Sequence, residues 1–190
     1  MKNATHFVID LETMGQGPFA PIVAIGAVCV TKGSQVDEFY RRVSLELAMH
    51  PTFGRQPDAS TIQWWLQQSA EARGEIDGSQ PSNNIFGALR QLADWMAIYA
   101  TERDAIVWGN GSSFDNVILR SSYEACSLPL PWQFRHDRDL RTLLALYPEA
   151  KNVGDFEGTK HHALHDARHE AKQLIAALGM HYGPEWGIEA

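Results

Sequence analysis

The sequence predicts an α/β fold: a mixed five-stranded sheet, formed by an antiparallel β-meander plus two further strands, with helices on both faces. Three observations predict it. The first 45 residues hold three strand-like runs joined by short Gly/Pro or turn-like links. Beyond them, segments of helical period alternate with two short apolar runs, an order that places helices against a sheet. Finally, 190 residues that are 44% hydrophobic bury one sizeable core, and no linker divides them, so residues 1–190 are expected to be a single domain.

The elements follow in order. "HFVIDLET" (6–13) and "IVAIGAVCV" (22–30) are β-branched strands linked by "MGQGPFAP". After the break "TKGSQVD", the alternating "EFYRRVSL" (38–45) completes the meander. "ASTIQWWLQQSAEARGEI" (59–76) predicts one helix capped by Asp58 or Ser60. A second helix begins near Ser82, its core face marked by Ile85, Leu89, Leu92, Met96 and Tyr99. "DAIVWGNG" (104–111) is a short buried strand that runs straight into a helix over 113–126. "PWQFRHDR" (131–138) supplies the fifth strand, "DLRTLLALY" a short helix that Asp139 and Arg141 cap and brace, and 148–160 a polar loop. The last helix runs from about His162 to Leu178, with Ala163, Ala167, Leu174 and Leu178 on its apolar side.

A formal charge of −7 argues against a broad basic clamp on long nucleic acid, although ions held by several of the acids would offset part of that charge at one place. Cys29 and Cys126 show no ligand spacing and are expected to be small buried hydrophobes of a reducing, cytoplasmic compartment. No window approaches the length of a membrane span, so the protein is expected to be soluble and unprocessed.

Chemistry concentrates in three places. Asp10 and Glu12 stand two apart on a strand and share a face, while Ile9 and Leu11 point the other way. Spacing alone is not diagnostic, since Asp137/Asp139 and Asp155/Glu157 repeat it. Position is: flanked by Val8, Ile9 and Leu11 in a strand expected to be central, an uncompensated charge pair is costly. A divalent ion removes that cost, and an all-carboxylate donor set selects Mg²⁺ or Mn²⁺ rather than zinc. Asp115 falls in the first turn of a helix that directly follows a strand, at the carboxyl end where α/β sheets form ligand crevices. The third place is "HHALHDARHEA" (161–171), whose four histidines lack H-E-x-x-H. His165 and His169 are expected on a solvated face, whereas Asp166, between small neighbours Ala163 and Ala167, can approach the sheet.

Together "DLE", "FDN" and "HHALHD" resemble the DEDDh exonucleases of the ribonuclease-H-like superfamily, over His6 to about Leu178. "DLETMG…APIVAIGAV" and "WWLQQS.EAR" are most similar to small phage and prophage members, exodeoxyribonuclease VIII-like, and to bacterial exoribonucleases. The resemblance implies that Asp10, Glu12, Asp115 and Asp166 hold two Mg²⁺ or Mn²⁺ ions, with Asp10 bridging both, and that His161 is the general base. The register H-x-A-x-x-D selects His161 over His162. It also places Thr13 and Met14 beside the terminal nucleotide. Trp64 and Trp65 are candidates for a base-stacking platform, with at least one expected in the core, and Phe114 shares that ambiguity.

The expected activity is metal-dependent 3′ to 5′ removal of nucleotides from single-stranded nucleic acid or 3′ overhangs, DNA slightly favoured over RNA. The alternatives are an endonuclease or resolvase of the same superfamily, and a binding module of the same fold without catalysis. A homodimer is compatible with the small relatives.

Overall fold

The computed structural model of the protein describes residues 4–183 and Trp186. Three strands, β1 (Thr5–Thr13), β2 (Ile22–Thr31) and β3 (Ser34–Arg42), form the antiparallel meander. Two short helices follow, α1 (Leu45–Ala48) and, after a 3₁₀ turn, α2 (Ala59–Leu66), then α3 (Ala70–Arg73) and α4 (Ile85–Tyr99). Strand β4 (Ala105–Gly109) runs parallel to β1 and leads into α5 (Asp115–Ala125). Strand β5 (Asp137–Asp139) pairs parallel with β4, and α6 (Leu140–Leu146) and α7 (Ala163–Tyr182) complete the chain. The spatial order β3-β2-β1-β4-β5 makes β1 the central strand, as its apolar flanks predict.

Period-two alternation along β1 feeds two cores. Phe7, Ile9 and Leu11 pack with α4 and α5 on one face, and Val8 packs with α6 and α7 on the other. Asp10 and Glu12 therefore point to the α7 side. The predicted core face of α4 is buried at Ile85, Leu89, Leu92 and Met96, while Tyr99 is partly exposed and donates its hydroxyl to Asp37. Ala163, Ala167, Leu174 and Leu178 of α7 are all buried.

Several expected boundaries are corrected. The third strand occupies Ser34–Arg42 rather than 38–45, because Lys32 and Gly33 (φ 47° and 77°) close a two-residue hairpin that starts it early. Ser44 then caps α1, accepting from Leu47 N. The single helix expected over 59–76 is two, because Ser69 caps a new start by accepting from Ala72 N. Asp58 occupies the cap position of α2, but its carboxylate accepts from Gln16 N instead. Helix α4 starts at Ile85 rather than near Ser82, with Asn84 as its cap. The fifth strand shrinks from 131–138 to Asp137–Asp139: Pro129 and Pro131 lack ladder donors, and Phe134–His136 is a 3₁₀ turn. Cys126 is only partly buried, whereas Cys29 is buried as expected.

One close approach sets the position of α7. A Cβ placed on Gly26 would lie 2.2 Å from the carbonyl carbon and oxygen of Ala163 and 2.3 Å from Leu164 N. Gly26 is the cross-strand neighbour of Asp10. The first turn of α7 thus rests on β2 backbone directly beside the acidic strand, contact that only glycine allows.

Candidate functional site

A cleft of about 900 Å³ opens at the carboxyl ends of β1 and β4, a size typical of ligand sites. Asp10, Glu12, Asp115's neighbours Ser113 and Phe114, His161, Asp166 and Glu170 line it or its floor. Each acid arrives by a local feature. Asp10 and Glu12 reach past Val8, the last β1 residue paired to β4, and the β1 register shifts just after Glu12, which turns the chain toward α2. Asp115 opens α5 and is buried; its Oδ1 accepts from Leu11 N at 3.2 Å, tying it to the acidic strand. Gly109 permits this strand-to-helix step, since a Cβ there would meet Asp115 Cβ at 2.8 Å. Asp166 reaches back to the start of α7, its Oδ2 accepting from His161 N (2.8 Å) and His162 N (3.2 Å).

His161 sits in the left-handed region, φ 64°, a conformation that costs energy in a non-glycine residue and that the Asp166 contact helps hold. Its ring meets the edge of Trp64, centroids 4.7 Å apart. His162 faces away, stacked between Tyr40 and His165 at 4.6 and 3.9 Å. The expected solvated face for His165 and His169 is corrected: both are partly buried and brace the preceding loop, His165 Nδ1 accepting from Thr159 N and His169 packing on Phe156.

The acids perturb one another. Burial first, then the charges of Glu170, Asp115, Glu12 and Asp166, holds the Asp10 carboxyl well above the usual carboxylate range. Burial and the charges of Asp166, Glu75 and Asp115 push Glu12 up to about 9. Burial lifts Asp115 to about 7, against the pull of backbone N–H groups of Leu11, Asp115 and Asn110. Asp166 is raised by burial and restrained by the His161 N–H. Such a group cannot all ionise without an added cation. Glu12, His161 and Asp166 each offer a ligand atom, all within 4.8 Å of one another. Oxygen donors with one imidazole suit a hard divalent ion.

The substrate candidates separate. Trp65 is 1% exposed, and its indole N–H donates to Thr13 O; Trp64 is 39% exposed at the cleft rim. Thr13 lines the cleft but spends its hydroxyl on Gly15 O. Met14 packs its side chain in the core, its backbone bonded to Pro21 and Asp58. Phe114 lines the cleft while packing partly on the core. Asp139 caps α6 as expected, accepting from Thr142 N, and also holds Ser112 N. Arg141, expected only to brace a helix, stands in the cleft wall and donates to Asn110 O. Sequence reasoning missed Glu170, although its i+4 spacing from Asp166 signals a shared helix face.

A central acidic pair, a strand-to-helix acid and a helix-borne acid beside a histidine, on this sheet order, are the arrangement that the resemblance to DEDDh nucleases leads one to expect. The chain belongs to the family described as the 3′-5′ exoribonuclease Rv2179c-like domain, whose model matches residues 5–178, and it is a 3′-5′ exonuclease. It is 25% identical to the exodeoxyribonuclease of Enterobacteria phage T4 over 207 aligned positions, covering 94% of this chain and 91% of that protein. Among solved structures it resembles the nuclease domain of 3′hExo, a DEDDh member bound to rAMP (TM-score 0.61, 17% identity, 99% of this chain and 97% of that one). It also resembles the zinc-bound E. coli ExoI–ssDNA complex (TM-score 0.61, 17% identity, 96% of this chain but 41% of that one).

Proposed function

We propose that this chain, as one exonuclease domain over residues 1–190, shortens single-stranded nucleic acid or 3′ overhangs from the 3′ end, releasing 5′-mononucleotides. Asp10, Glu12, Asp115 and Asp166 would hold two Mg²⁺ or Mn²⁺ ions. The observation that carries the reading is the gathering of Glu12, His161 and Asp166 within 4.8 Å, in one cleft with Asp10. Bound there, the ions supply Lewis acidity at the scissile phosphate and neutralise the carboxylates. His161 would accept the proton of the attacking water at an imidazole nitrogen; the edge contact of its ring with Trp64 and the bond of its backbone N–H to Asp166 support that role. Leu11 N–H fixes the Asp115 carboxylate, so that acid is oriented before substrate arrives. Trp64 offers its exposed face to the terminal base.

Both sugars enter the proposal: the family description names an exoribonuclease, while the phage relative is an exodeoxyribonuclease and the prophage-like motifs favour DNA slightly. Matched 5′-labelled DNA and RNA oligomers, single-stranded and with 3′ overhangs, test polarity and sugar preference together under Mg²⁺ and Mn²⁺. The expected product is a ladder shortening from the 3′ end, abolished by chelator and by a 3′ block. Cleavage of the blocked oligomer would instead favour an endonuclease. The free thiols Cys29 and Cys126 fit a reducing, cytoplasmic setting, and light scattering tests the homodimer.

A further inference from the structure

Glu170 is a buried acid that the four-acid arrangement leaves without a task. It lies one helical turn beyond Asp166 on α7, so the two side chains share a face, and it lines the same cleft. Only 6% of the residue is exposed. Its Oε2 is buried with no hydrogen-bond partner. A carboxylate oxygen left so costs stability that a leucine at this position would not.

We propose that Glu170 is a fifth carboxylate of the metal centre, its unpartnered Oε2 available to a cation in the cleft that Asp10 and Asp166 also line. This rests on the two-ion reading above. A further acid in that cleft adds protein charge to the centre, so the second ion binds before nucleic acid rather than arriving with the substrate phosphate.

The test is calorimetric titration of Mn²⁺ into the full chain without nucleic acid, for wild type, Glu170→Gln, Glu170→Leu and Asp166→Asn, with melting temperatures measured in parallel. Wild type is expected to bind two ions. Glu170→Gln keeps the shape, Glu170→Leu keeps the volume without a donor, and both should bind the second ion at least tenfold more weakly. Both should also melt higher than wild type when metal-free, since a crowded charge is gone, and gain less on adding Mn²⁺. Asp166→Asn should weaken the other ion. If wild type binds two ions and both Glu170 variants bind them equally well, the inference is overturned while the two-ion reading stands. If wild type binds fewer than two, the two-ion reading fails before substrate and the inference falls with it.

Discussion

Gly26→Ala is expected to separate folding from activity. The added methyl would begin 2.2 Å from the Ala163 carbonyl group and 2.3 Å from Leu164 N, all backbone of the first turn of α7. Carbon contacts settle near 3.5 Å, so the helix start must retreat by more than ~1 Å. Overpacking of this kind costs about 1–3 kcal/mol, and the 20-residue α7 is otherwise held by Ala167, Ala171, Leu174 and Leu178, so the fold survives. The same retreat carries His161 and Asp166 away from Glu12, and misplacement by about 1 Å costs on the order of 10²-fold in rate. Thermal melting and digestion of a 5′-labelled oligomer measure the two effects, with Gly17→Ala, which meets nothing within 4 Å, as the control. A folded Gly26→Ala protein that digests at the wild-type rate would show that the α7 contact does not position the site.

Three further outcomes are expected. His161→Ala should lower turnover by about 10²–10⁴-fold with Mn²⁺ binding to the Asp10 side retained; unchanged turnover removes His161 from the chemistry. Metal-free protein should lose stability as pH rises from about 4.5 to about 9, because the Glu12 carboxyl is raised from 4.5 to about 9 in the fold and the native state holds the extra proton. Adding Mn²⁺ should flatten that slope, and a melting temperature that climbs with pH in metal-free buffer counts against the crowded-acid account. Trp64→Ala should raise KM for single-stranded oligomers more than it lowers kcat, since base stacking is worth about 1–3 kcal/mol; a KM equal to wild type assigns Trp64 to packing alone.

Local pattern carried much of the site. The alternation around Asp10 and Glu12, the strand-to-helix step at Asp115 and the H-x-A-x-x-D register of His161 and Asp166 are properties of a few consecutive residues, and their places in the fold follow from strand and helix geometry. Boundaries were less legible where a side chain competed for backbone donors. Ser69 splits one expected helix, and Asp58 turns from its cap to Gln16, 42 residues away in sequence.

The chain by itself therefore determined the fold class, the central acidic strand and the order of the acids, because each depends on hydrophobic period and on residue type at short range. Only the tertiary structure decided that α7 lies on Gly26, that Trp65 is core while Trp64 borders the cleft, and that Glu170 and Arg141 join it. Those outcomes depend on contacts between residues distant in sequence, Gly26 against Ala163 and Trp65 against Thr13, which no local pattern encodes.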